Sequence, residues 1–321
     1  MPSASTLVSL ASIQDAARIV DGVAKRTPLL EAPGLSHELG VPVWLKCENM
    51  QPMGAFKIRG AYTAIARLTP EERARGVITY SSGNHGQAVA YAAKLLGIRS
   101  VIVMPETAPK IKVEGVKGFG GEVIFAGTTS QDRLTRAEAL VAEQGLTMIP
   151  PFEHPDVIAG QGTCGLEILE QCPEVETILV PVGGGGLLAG IATAVAALKP
   201  GVRVVGVEPT GAGKLQAALA AGEPVRLEKT RSLADGLLPL SIGIMPFAQL
   251  KGLVRESVLV SDEDLARAVK YLFADARVRA EPSGAATTAA LLARRTTVTG
   301  PTVAVVSGGN VDPELFERLV A

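Results

Sequence analysis

Aromatic residues are scarce: seven Phe, four Tyr and one Trp make up 4% of the 321 residues. A core with so few rings must close by packing Ala, Val and Gly, which favours helices lying close against sheets. Cysteine is scarcer still. Cys47, Cys164 and Cys172 form no C-x-x-C pair, and an odd number cannot all pair, so the sequence predicts a reducing, cytoplasmic compartment and no disulfide framework. The histidines and cysteines show no metal-ligand spacing, and no metal site is expected. Excess charge of either sign is also missing: 31 Lys and Arg face 32 Asp and Glu, and no basic tract stands out. Nucleic acid and anionic membrane are therefore not expected partners. The N-terminus lacks a charged leader with an apolar run behind it, and no uninterrupted apolar stretch reaches bilayer-spanning length.

What is present is a large apolar fraction, 47%, enough for a substantial core over one large or two ordinary domains. The dominant rhythm is a short apolar strand, a glycine-bearing turn, then a helix. "VITYSS" (77–82), "SVIVMP" (100–105), "EVIFAG" (122–127), "TILVPV" (177–182), "VRVVGVE" (202–208) and "TVAVVS" (302–307) supply the strands. Continuous Val/Ile runs joined through helices predict an α/β protein with doubly wound, mostly parallel sheets. Helix starts are marked by Ser12-Ile-Gln-Asp15 and by the capping-box pattern Thr69-x-x-Glu72. Punctuation at Pro52 and at "MIPPFEHP" (148–155) sets off residues 54–147 as a small mobile domain. Residues 1–53 plus 148–321 then form the large domain, with a cleft between the two lobes.

Three strands end in small residues with free backbone donors: "SSGNHG" (81–86), "GGGG" (183–186) and "SGGN" (307–310). Ligands of open parallel sheets bind outside the carboxyl ends of the strands, so these turns are the place to look. The four glycines let backbone N–H groups approach an anion, with a helix N-terminus beginning behind them, which suits a phosphate. The same stretch also fits a dinucleotide fingerprint, Gly184-x-Gly186-x-x-Ala189 with Glu208 about 20 residues on, and would by itself predict an oxidoreductase. That alternative gives no role to Lys57, "SSGNHG" or "SGGN". Lys57, flanked by Phe56 and Ile58 at the start of a helical pattern, is a candidate Schiff-base lysine. A solvated lysine is the ordinary reading of such a residue. Only a phosphate-bearing aldehyde cofactor reverses it.

Taken together, "GAFKIRGA", "SSGNHGQAVAYAAK", "VIAGQGT", "PVGGGGLLAGIA", "ADGL", "EPSGAA" and "SGGNVD" resemble the serine/threonine dehydratase and serine racemase family of pyridoxal-phosphate enzymes, of the tryptophan-synthase-β fold (fold type II). Related sulfhydrylases and threonine synthases carry K-D-R after the lysine and lack the His of "GNHG". The resemblance implies that Lys57 carries the cofactor and moves the α-proton. It implies that Phe56 lines the ring, Asn84 holds the ring hydroxyl and Ser307 faces the ring nitrogen. Gly183, Gly184, Gly185, Gly186 and Leu187 would bind the phosphate, with Gly236 and Glu281 lining the pocket. Ser81, Ser82, Asn84 and His85 would grip the substrate carboxylate, and Ser82 matches the opposite-face proton carrier of the racemases. The implied activity is dehydration of L-threonine or L-serine to a 2-oxo acid and ammonia by a homodimer. The alternatives are serine racemisation, or dehydration of phenylserine or hydroxyaspartate.

Three letters depart from the family. Ala55 stands where Ser is usual. Phe152 stands where the racemases are often polar. Lys214 replaces the Asp that completes a divalent-cation motif beginning at Glu208, so an ammonium is expected in place of the ion.

Overall fold

The computed structural model describes residues 7–321 apart from Ser82 and Pro109. The first half runs α1 (Leu10–Val20), β1 (Leu29–Glu31), α2 (Pro33–Leu39), β2 (Val43–Cys47), α3 (Lys57–Ala66), α4 (Pro70–Arg75), β3 (Val77–Thr79) and α5 (Asn84–Leu95). It continues through β4 (Ser100–Met104), α6 (Lys110–Gly118), β5 (Glu122–Phe125), α7 (Ser130–Gln144) and β6 (Thr147–Met148). Next come α8 (Pro155–Gln171), β7 (Thr177–Pro181), α9 (Gly186–Leu198), β8 (Arg203–Pro209), α10 (Lys214–Ala221) and α11 (Ile244–Leu250). The last elements are β9 (Glu256–Val260), α12 (Asp262–Ala274), α13 (Pro282–Leu292), β10 (Thr302–Val306) and α14 (Pro313–Val320). The capping box at Thr69 and Glu72 forms as the sequence predicts. The first helix starts earlier than Ser12 suggests, because Ser9 accepts from the Ser12 N–H and caps it at Leu10.

The strands form two sheets. The larger has the order β1-β2-β10-β7-β8-β9, all parallel except β1; the smaller has the order β5-β4-β3-β6, all parallel. Side chains alternate between the two faces of each strand, and each face has its own core. In the larger sheet Ile178, Val180, Val303 and Val305 pack with α1, α8 and α9, while Leu179, Ala304 and Val306 pack with α12 and α13. In the smaller sheet Val77 and Ile102 face α3 and α5, and Ile78, Val101 and Val103 face α7. Both faces being covered is why these strands read as unbroken apolar runs.

Small residues let the helices come close, as the low aromatic content implies. A Cβ on Gly160 of α8 would lie 2.4 Å from the Arg59 carbonyl of α3, so only glycine fits there. This presses the first turn of α3, and Lys57 with it, onto α8. Register places Ala304 of β10 beside Leu179 of β7. The loops that follow, Ser307–Asn310 and Gly183–Gly186, therefore leave the sheet side by side.

Candidate active site

Lys57 begins α3 and is half-buried; its Nζ donates to the Pro151 carbonyl at 2.8 Å and lies 5.1 Å from the Phe56 ring centroid. Burial lowers its pKa from 10.5 to about 8, which leaves an appreciable neutral fraction near physiological pH. Next to Pro151, the Phe152 ring packs against the glycine loop. A Cβ on Gly184 would sit 2.1 Å from that ring, and Gly185 has φ +94°. The α9 N-terminus behind them has no side-chain cap, so its first amides are left open to an anion. The Gly184 carbonyl accepts from Gly243 N at 3.0 Å, which fixes the loop from the other side.

The segment before Lys57 pairs with the loop after β10. Phe56 N donates to the Ser307 carbonyl at 3.1 Å, Gly309 N donates to the Gly54 carbonyl at 2.9 Å, and Ala55 bridges Gly308. This short ladder brings Lys57, Phe56 and buried Ser307 together from opposite parts of the sequence. It also accounts for Ala55. Its side chain is fully buried in the apolar cluster of the smaller sheet with Met53 and Ile58. A hydroxyl at this position would enter that cluster at a desolvation cost.

Asn84 opens α5 but does not cap it. Its Nδ2 donates to Glu281 Oε1 at 2.6 Å and its Oδ1 accepts from Asn310 Nδ2 at 2.7 Å. Glu281 is 5% exposed, and burial, reinforced by nearby Asp235, raises its carboxyl from 4.5 to about 8. His85 is buried; its Nε2 lies 2.9 Å from the Ile149 carbonyl, and burial together with Lys57 lowers the ring to about 3. The imidazole is therefore neutral with its N–H committed to Ile149. What this residue offers a carboxylate is its backbone N–H in the first turn of α5. Ser81 Oγ accepts from Gly83 N at 3.3 Å. Gly236 lies exposed, its N–H donating to Ser283 Oγ and its carbonyl against Gly183. Ser82 lies outside the described residues.

A family profile described as pyridoxal-phosphate dependent enzyme matches residues 20–309. The chain belongs to that family. Among its relatives, an L-threonine ammonia-lyase of Geobacter sulfurreducens is 43% identical over 92% of this chain and 74% of its own. An L-threo-3-hydroxyaspartate ammonia-lyase of Saccharomyces cerevisiae is 38% identical over 96% of this chain and 95% of its own. Among solved structures, maize serine racemase superposes with TM-score 0.93 at 38% identity, covering 97% of this chain and 96% of that one.

The residues fit the cofactor: an uncapped glycine loop for its phosphate, a half-buried amine of lowered pKa for its aldehyde, and amide and hydroxyl groups for its ring. As a pyridoxal-phosphate enzyme the chain has no use for Glu208 as a ribose-binding acid, and the geometry denies it that role. Glu208 is fully buried and accepts from Leu215 N, Gln216 N, Ser257 Oγ and Lys214 Nζ. Lys214 Nζ also reaches the Val182, Ala212 and Leu237 carbonyls at 3.0, 2.9 and 3.1 Å. Its ammonium thus ties the start of the glycine loop to the Gly236 loop.

Two groups escaped sequence reasoning. Arg59, fully buried two residues after Lys57, bonds both oxygens of Glu48 and both of Glu167, and Glu167 also holds Lys46 at 2.5 Å. Two cations and two carboxylates neutralise one another around the base of α3. Asn310 is the other; its place in "SGGN" was the only signal.

Proposed function

We propose that the chain is an ammonia-lyase that converts L-threonine and L-serine to a 2-oxo acid and ammonia. The amine of Lys57 carries this reading: half-buried, lowered to about 8 by burial, and bonded to the carbonyl of Pro151, whose neighbour Phe152 lies against the glycine loop. Pyridoxal phosphate, when bound, supplies an electron-withdrawing ring that makes the substrate's α-C–H acidic. Lys57 Nζ takes that proton, and an amine poised near 8 exchanges it readily. The backbone amides of Gly183–Leu187 hold the phosphate. Asn84 donates to the ring oxygen. Ser307 offers the ring nitrogen a neutral hydroxyl where an acid would protonate it fully, and this favours prompt loss of the β-hydroxyl over a long-lived carbanion. Ser81 and the first-turn N–H groups of α5 hold the substrate carboxylate, and Phe56 and Glu281 wall the ring. The α-hydrogen and β-hydroxyl leave as water, and a second water hydrolyses the released enamine to the 2-oxo acid and ammonia.

The Phe152 ring adds an apolar surface against the glycine loop, which supports threonine and serine over hydroxyaspartate, the substrate in the yeast relative's name. The likeness to maize serine racemase supports a second reading as a side activity, with Ser82 as the proton carrier opposite Lys57. We further infer a cytoplasmic homodimer in which residues 54–147 move as a lobe. Three buried, unpaired cysteines support the compartment, the separate four-stranded sheet supports the lobe, and family resemblance supports the dimer. No helix among the described residues is long and apolar enough to cross a membrane.

The purified protein should absorb at roughly 410–420 nm and lose that band on borohydride treatment. A panel of hydroxy amino acids of both hands should give fastest 2-oxo acid release from L-threonine or L-serine. A colourless protein indifferent to added pyridoxal phosphate would sink the reading. Ser82→Ala should depress racemisation more than dehydration, and equal losses would remove Ser82 from the opposite face.

A further inference from the structure

Asn84 carries a side-chain amide whose two ends offer opposite chemistry: two N–H donors on one, an acceptor on the other. Which end faces the ring decides whether Asn84 stabilises or repels the cofactor's ring oxygen. Glu281 cannot make that choice. Its carboxyl, raised to about 8 by burial and by Asp235 and only partly offset by Lys112, holds a proton at neutral pH and can accept from one amide end or donate to the other. The choice has to be made by a group with fixed polarity.

The Met53 carbonyl is such a group, since it can only accept. Asn310 Nδ2 donates to it at 2.9 Å, which sets the Asn310 amide. The remaining N–H of Asn310 then points at Asn84, 2.7 Å away, and only the Asn84 oxygen can receive it. The Asn84 nitrogen is thereby turned the other way, with one N–H on Glu281 and the second without a partner among the described residues. The backbone is shaped for this contact. Gly54 has φ +80°, and a Cβ there would lie 2.3 Å from Asn310 Oδ1. Any side chain at 54 would push Asn310 off the Met53 carbonyl.

We propose that Asn310 is a positioning residue that fixes which way the Asn84 amide faces, so that an N–H and not the carbonyl is turned toward the cofactor's ring oxygen. This rests on the assignment of Asn84 to that oxygen made above. Asn310→Asp removes both donors of residue 310, the one on the Met53 carbonyl and the one on Asn84. The new carboxylate draws an N–H from Asn84, and the Asn84 carbonyl swings toward Glu281 and the ring.

The test is a double-mutant cycle on the holoenzyme with two readouts, the dissociation constant for pyridoxal phosphate and the pH midpoint of its visible absorption. The chains compared are wild type, Asn84→Ala, Asn310→Asp and the double variant. Asn84→Ala and Asn310→Asp should each weaken cofactor binding about tenfold, the scale of one lost hydrogen bond to a charged group. In the Asn84→Ala background the second change should cost less than about twofold, because its effect passes through an amide no longer there. The pH midpoint should move in Asn310→Asp and not move further in the double variant. Equal losses from Asn310→Asp in both backgrounds would overturn the proposal, leaving Asn310 as a brace for Met53 alone. An Asn84→Ala chain that keeps both its affinity and its midpoint would overturn the underlying assignment of Asn84 instead. Asn310→Ala runs the same cycle without an added charge, should the aspartate variant not fold.

Discussion

The Lys214 ammonium lies 3.1 Å from the Glu208 carboxylate, and neither side chain has any exposed surface. Burial pulls the lysine pKa down while Glu208 pulls it back up, and the Val182, Ala212 and Leu237 carbonyls share its remaining N–H groups. Lys214→Ala leaves a buried carboxylate without its cation and should cost about 3–5 kcal/mol in urea unfolding. If the Lys214 ammonium stands in for the cation of the family's motif, added Mg²⁺ should leave the melting temperature of the wild type unchanged. A rise of several degrees would show that the ion has a site of its own.

Lys57 should be the most reactive lysine of the cofactor-free enzyme. Burial disfavours its charged form, so it becomes nucleophilic as pH climbs through about 8, where an ordinary lysine waits until 10.5. Labelling with an amine reagent, followed by peptide mapping, should give half-maximal modification of Lys57 near pH 8. A midpoint near 10 would return it to the ordinary lysines. Lys57→Ala should abolish 2-oxo acid release from every substrate, and turnover in that variant would remove it from its role.

Glu281 carries a pH signature. Its folded pKa, about 8, lies above the ordinary 4.5, so the folded chain holds a proton that the unfolded chain has released. The stability this group contributes is complete below pH 4.5 and is lost as pH rises to about 8. Glu281→Gln keeps an acceptor for Asn84 and cannot ionise. Its stability relative to wild type should therefore improve between pH 5.5 and pH 9 in denaturant titrations. Parallel curves for the two chains would refute the buried acid.

Arg59→Met should destabilise the protein by about 3–5 kcal/mol, because fully buried Glu48 loses its cation and Lys46 alone is left to answer Glu167. Arg59→Lys should recover only part of this. One ammonium cannot reproduce the forked contacts that a guanidinium makes to two carboxylates. Urea midpoints of the three chains check the order, and a lysine variant as stable as wild type would contradict it.

The parallel sheets were legible because both faces of each strand are covered, which removes the polar alternation and leaves plain Val/Ile runs. Lys57, the glycine turn and Asn84 were legible as motifs, since backbone approach to an anion leaves a local mark. Arg59 was not: its partners Glu48 and Glu167 lie 11 and 108 residues away, and only folding shows that they share one pocket. Glu208 misled in the oxidoreductase alternative for the same reason. An acid closing a strand suits a ribose until Lys214 and two helix amides are seen to occupy it. Ala55 had no reading as a sequence letter and acquires one from the apolar cluster around it.

The ladder joining Met53–Phe56 to Ser307–Asn310 has a consequence for the order in which the protein matures. Its strands are some 250 residues apart in sequence, so its contacts are non-local and we expect it to close late in folding. Until β10 docks, Lys57 has no Ser307 beside it and Asn84 has no relay to orient it. An unfinished chain therefore shows a passing aldehyde one lysine among many. If the site works as proposed, cofactor capture waits on that docking event, and a coloured protein reports a chain in which β10 is already in place.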